Sequence, residues 1–107
     1  MAINSKEKGK RAEREVAALL REYGFTNAKR GQQYHGGTDS PDIIDALPKV
    51  HIEVKHVEKL NIIEAMAQAD RDCGDKIPAV FHRRNRTPWL VTLHLDDFIT
   101  LYKGANK

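Results

Sequence analysis

The chain has 107 residues, room for one domain with a modest core and too few for two. Its one cysteine, Cys73, excludes an internal disulfide, and with no signal-like leader and no apolar run of membrane-spanning length, a soluble, cytoplasmic protein with no membrane partner is expected. A net charge of +3 allows a polyanionic partner without requiring one, so the positions of the basic residues matter more than their sum.

The first residues are polar and basic, with Lys8 and Lys10 as candidate phosphate contacts. From about Ser5 to Tyr23 the pattern is helical: Ala12, Val16, Leu19, Leu20 and Tyr23 form one stripe, charges fill the other side, and Gly24 supplies a stop. With Val16 at zero on a helical wheel, Glu13 falls near ~60°, at the edge of the stripe, while Glu15 and Glu22 point outward at about −100° and −120°. Glu13 alone can look along the core toward a sheet; a solvated helix carboxylate is the alternative. Gly9 shares Glu13's side, and marks either a close approach by other atoms or a frayed helix start.

Residues 25 to 34, which include the basic Arg30, form the expected first strand, and Tyr34 to Ser40 a flexible loop that opens onto Asp42. His35 reads as a solvated loop residue, and Asp39 and Asp45 as bystanders, since Asp45 alternates away from Asp42. The stretch Ser40-Pro41-Asp42-Ile43-Ile44-Asp45 begins a second strand. After Leu47-Pro48-Lys49 comes His51-Ile52-Glu53-Val54-Lys55, a third strand with Ile52 and Val54 on one face and Glu53 and Lys55 on the other.

Register decides whether these groups meet, because a slip of one residue turns every side chain to the opposite face. A two-residue loop, Pro48-Lys49, sets Asp42 opposite Lys55. A four-residue loop, Ala46 to Lys49, sets Asp42 opposite Glu53, and is favoured because the two-residue form wants a positive φ that Pro48 cannot adopt. Two carboxylates about 4 Å apart repel by roughly 4 kcal/mol at an effective dielectric near 20, so something must offset the pairing. Lys55 offsets part. A hard divalent cation offsets more: Mg²⁺, with Mn²⁺ as a substitute, takes oxygen ligands and keeps positions for water and phosphate, which suits hydrolysis of a phosphodiester with the lysine steering the water or neutralising the developing charge.

Asn61-Ile62-Ile63-Glu64 has the form of a capping box, and Ile62, Met66, Ala69 and Cys73 line one face of the helix it opens. Gln68 lies off that stripe and reads as a surface residue. Two strands follow, 77–82 and 89–94, joined by Arg83-Arg84-Asn85-Arg86-Thr87-Pro88, whose arginines either clamp phosphates or form a solvated tip. A short closing helix over 96–102 directs Phe98, Leu101 and Tyr102 to the core, with Asp96 and Asp97 at its positive end.

Ser-Pro-Asp42 followed by Ile-Glu53-Val-Lys55 resembles the PD-(D/E)xK nuclease superfamily, and Lys8-Gly9-Lys10-Arg11-Ala12-Glu13-Arg14-Glu15 resembles the opening of archaeal-type Holliday junction resolvases and their phage relatives. The likeness runs in order from residue 8 to about 57 and is looser beyond. It implies Asp42 and Glu53 as catalytic acids that hold the metal, helped by Glu13 as a third catalytic and metal-holding acid, Lys55 as the catalytic lysine, a loop before Asp42 that approaches DNA, and a homodimer cutting both strands of a four-way junction. Gln68 stands where many of these nucleases carry a glutamine. The expected DNA contacts are Lys8, Lys10, Arg30, Arg83, Arg84 and Arg86. The expected fold is α/β, a single mixed sheet flanked by helices in the order α-β-β-β-α-β-β-α, with a restriction-endonuclease-like core. A same-fold nuclease for flaps, nicks or duplex, such as the virus-type replication-repair nucleases, and a non-catalytic DNA-binding module are the alternatives.

Overall fold

A computed structural model describes residues 5–31 and 41–105. The element order is α1 (Ser5–Glu22), β1 (Lys29–Arg30), β2 (Ile43–Ile44), β3 (Val50–His56), α2 (Ile62–Asp72), β4 (Ile77–Arg83), β5 (Leu90–Thr92) and α3 (Leu95–Ala105). The strands form one sheet in the order β1-β2-β3-β4-β5. It is mixed: β3 and β4 run parallel, joined by the α2 crossover, and every other pair is antiparallel. No described helix is long and apolar enough to cross a membrane.

Alternation along β3 divides the core between two layers. Ile52 and Val54 face α1, where they bury with Ala12, Val16, Ala17, Leu20, Ala28 and Ile43. The other face carries Val80 of β4, buried with Ala65, Met66 and Ala69 of α2. Small alanines at the contacts let both helices approach closely. Because helices cover β3 on both faces, His51, Ile52, Glu53 and Val54 are all buried, so a strand with polar residues at alternate positions is nonetheless a central one.

Local signals explain most boundaries. Gly24 ends α1 with φ +107, a conformation that favours glycine. The Asn61 side chain accepts from the Glu64 N–H at 3.1 Å, so the expected cap opens α2. Val50 N–H donates to Leu47 O at 3.1 Å, closing a turn in which Pro48 keeps its negative φ and Lys49 takes the positive one, at 69°.

Several sequence expectations need correction. The first strand spans only Lys29–Arg30, because Phe25 to Ala28 is tied into turns, with Phe25 N–H donating to Leu20 O and Ala28 N–H to Phe25 O. Tyr23 lies past the end of α1 and is 81% exposed rather than part of the core stripe. Cys73 caps the end of α2 and is only partly covered. None of the α3 residues is buried: Phe98, Leu101 and Tyr102 keep their apolar surface outside. Periodicity shows that a helix face wants cover and says nothing of what supplies it. Tyr34, His35 and Asp39 lie outside the described residues.

Candidate active site

Ile43 pairs with Ile52, so the next position sets Asp42 directly opposite Glu53. This is the register of the four-residue loop. Three backbone bonds fix Asp42: its N–H donates to Ile52 O at 2.8 Å, its carbonyl accepts from Gly31 N–H at 2.8 Å, and its Oδ2 accepts from Val54 N–H at 2.7 Å. Gly31 allows this approach, because a Cβ there would run into the Pro41 carbonyl oxygen.

Both carboxyl groups are buried, each residue 6% exposed. Burial first, then the Glu53 carboxylate, and then Glu13, push Asp42 from 3.8 up to about 7, against the pull of the Val54 N–H. The Asp42 and Glu53 carboxyl groups also hydrogen-bond to one another. His51, two residues before Glu53 on the same face, donates from Nε2 to Glu53 Oε1 at 2.7 Å and is itself 2% exposed. Sequence reasoning passed over His51, although period-two alternation places residues 51, 53 and 55 together.

Asp42 and Glu53 open into one cleft, whose lining also includes Lys8, Gly9, Glu13, Lys55 and Gln68. The helix wheel therefore selected a glutamate that does reach the cleft. Gln68 is exposed, as expected, and stands at the same opening. Space is open beyond Gly9, with nothing within 4 Å of where a Cβ would lie. A larger hollow, about 880 Å³ against 480 Å³ for this cleft, lies beside the Pro48-Lys49 turn. It lacks a buried carboxylate pair; its Asp45 is exposed and faces Lys29 at 3.6 Å.

Two candidate residues hold each other: Arg30 Nε donates to Glu13 Oε1 at 2.9 Å. Among the described residues, no three or more His, Cys, Asp or Glu side chains stand together as a formed metal cage. The donor set nevertheless fits a hard divalent cation. Asp42 and Glu53 offer oxygen donors from adjacent strands, and a cation between them would relieve the charge that burial penalises.

The basic loop is more constrained than its composition implied. Arg83 Nη1 and Trp89 Nε1 both donate to Glu15 Oε1 at 2.7 Å, and the Arg83 guanidinium lies 5.7 Å from the centre of the Trp89 ring. Glu15, expected to point outward, thus ties α1 to the β4–β5 hairpin. Asn85 N–H donates to Glu58 Oε2 at 3.0 Å, and Asn85 Oδ1 accepts from His56 Nε2 at 2.8 Å. Arg84 and Arg86 are exposed and make no ion pair with a described residue. Lys10 pairs loosely with Glu7 at 3.8 Å.

An acid entering at the start of one strand, opposite a Glu-x-Lys strand in the middle of a mixed sheet with a helix on either face, is the framework of the PD-(D/E)xK nucleases. The comparison with family models agrees: the model described as "Phage putative PDDEXK endonuclease" matches residues 4–107, and the chain belongs to that family. No curated protein and no solved structure matches the chain. The family is one of nucleases, with DNA as the implied substrate.

Proposed function

We propose that the protein is a divalent-metal-dependent DNA endonuclease of the Holliday junction resolvase type, hydrolysing phosphodiester bonds in branched DNA inside the cell. The observation that carries the reading is the direct opposition of buried Asp42 and Glu53, with Lys55 on the same strand face and Glu13 in the same cleft. Asp42 and Glu53 would hold Mg²⁺ or Mn²⁺, with Glu13 as the neighbouring third acid. When bound, that ion supplies a water activated for attack and charge to stabilise the phosphate.

The protein's own groups do the positioning. The Val54 N–H holds Oδ2 of Asp42, and His51 holds Oε1 of Glu53, so each carboxylate keeps a fixed direction. Lys55 lines the cleft and makes no ion pair with a described residue, which leaves its ammonium for the attacking water or the phosphate. A junction presents two strands for symmetric cutting, and a two-fold pair of chains supplies two such sites. A non-catalytic binding module would gain nothing from burying acids where phosphates approach, since they repel.

The test is cleavage of labelled four-way junction, flap, duplex and single-stranded DNA, each with Mg²⁺ and with EDTA. Metal-dependent paired cuts in the junction are expected. Cleavage of flap or duplex in preference to junction would assign the same chemistry to another substrate, and binding without cleavage in any metal would overturn the nuclease reading.

A further inference from the structure

α3 follows the outermost strand of the sheet and carries an apolar stripe that no described residue buries. Leu95, Phe98, Ile99 and Tyr102 recur at i, i+3, i+4 and i+7, the spacing of a helix face built to be buried. Yet Leu95 is 76% exposed and Tyr102 59%, and no residue of the helix is buried. An isolated helix of 11 residues is marginal in water, because nucleation costs more than so few hydrogen bonds return. The adjoining strand β5 ends the sheet, and its Leu90 and Val91, on opposite faces of the strand, are both exposed.

The charges on α3 indicate the occupant. Asp96 and Asp97 stand in its first turn and Lys103 in its last. Asp96 and Lys103 are seven residues apart, which places them within about 20° of each other on one flank of the stripe and about 10 Å apart along the axis. A second α3 laid antiparallel across the stripe, related by a two-fold axis, brings each Asp96 to the other helix's Lys103, twice by symmetry. It also sets the positive end of each helix dipole beside the negative end of the other. A parallel two-fold arrangement would put the two Asp96–Lys103 flanks on opposite sides of the seam and set like dipole ends side by side.

We infer that the α3 stripe is the surface through which two copies of this chain pair, their α3 helices antiparallel and joined at both ends by Asp96–Lys103 contacts. The inference names the surface for the pair in the reading above and rests on that reading only for its use, since the surface is argued from the helix alone.

Sedimentation equilibrium on the DNA-free protein tests it. Wild type is expected at twice the 12.2 kDa chain mass. Phe98→Glu should be monomeric with unchanged far-ultraviolet circular dichroism. Because that variant can also unfold, the charge variants carry the decision: Asp96→Lys and Lys103→Glu should each weaken the pair by about tenfold, and the double variant should restore it to within a few-fold of wild type. A wild type that stays monomeric at every concentration, or pairing that survives Phe98→Glu in a folded protein, overturns the surface. Failure of the double variant to recover overturns the antiparallel arrangement. Cleavage assayed in parallel separates the two readings, because a monomer that still cuts junctions sinks only the surface, and a dimer that cuts nothing sinks only the nuclease.

Discussion

Arg30 donates from Nε to Glu13 Oε1 at 2.9 Å, joining β1 to α1 beside the cleft. The pair is partly buried, with the Glu13 side chain 16% exposed. Removing the arginine leaves that carboxylate without its counter-charge next to two other acids. Arg30→Ala should therefore lose about 1 to 3 kcal/mol of stability in urea melts and also weaken DNA binding. Glu13→Gln keeps an oxygen for Arg30, so it should retain most of the stability and lose most of the cleavage. If both variants lose stability and activity alike, Glu13 serves the fold and not the chemistry.

Asp42→Asn or Glu53→Gln should abolish cleavage while leaving junction binding intact or tighter, because a negative charge near phosphate is gone. Either variant retaining more than about a tenth of wild-type turnover would refute the metal assignment. Lys55→Ala should lose turnover and keep its melting temperature.

The position of Asp42 gives the metal-free protein a definite pH response. Its carboxyl is raised from 3.8 to about 7 by burial and by Glu53, so between those values the folded chain holds a proton that the unfolded chain has released. Stability in EDTA should then be highest near pH 4 on this account, fall as pH rises toward 7, and level off above, by a few kcal/mol at most. Asp42→Asn should flatten this contribution and be the more stable protein at pH 8 without metal. Adding Mg²⁺ should restore wild-type stability at pH 8 and release protons at pH 6, measurable by calorimetry in buffers of different ionisation enthalpy.

Phosphate contacts from the β4–β5 hairpin should come from Arg84 and Arg86. Replacing both with alanine should flatten the slope of log K against log salt by about 1.8, at ~0.9 per contact. Arg83→Ala should instead act on stability, since Glu15 and Trp89 hold that side chain. An unchanged slope in the double variant would leave the hairpin as a solvated tip and direct attention to Lys8 and the N-terminal helix.

Glu15→Ala should cost about 1 to 3 kcal/mol, because it strips one acceptor from both Arg83 and Trp89. Its single-turnover cleavage rate at saturating metal and low temperature should remain near wild type. A large loss of that rate in a folded Glu15→Ala protein would mean that the hairpin takes part in catalysis.

What could be read from the residues was whatever a local rule dictates. Alternation along 51–55 and the φ of Pro48 set Asp42, Glu53 and Lys55 on one face; the wheel put Glu13 only at the edge of the stripe, and the resemblance to the junction resolvases made it a site acid. What could not be read depends on partners distant in the chain. Glu15 looks like any outward helix acid until β4 and β5 arrive beside it, and Arg30 looks like a DNA contact until Glu13 is seen within reach. His51 was missed for a different reason: alternation sets it on the face of Glu53, but only its burial, with 2% of it exposed, commits its ring to the Glu53 carboxylate. The α3 face was misjudged because an apolar stripe carries no address.

The acids and the outer tie also differ in how much chain lies between them. Val54 and Asp42 are separated by 12 positions and joined by one short turn, whereas Arg83 and Glu15 are separated by 68. Closing the smaller loop costs less entropy, so the hairpin that opposes Asp42 to Glu53 can form early, while the bond from α1 to the β4–β5 hairpin must wait for the parallel β3–β4 pair. The charge repulsion of the site is thus met at the outset of folding, and slower refolding at pH 8 than at pH 6 in EDTA follows from it. Loosening the Glu15 bond should mainly hasten unfolding.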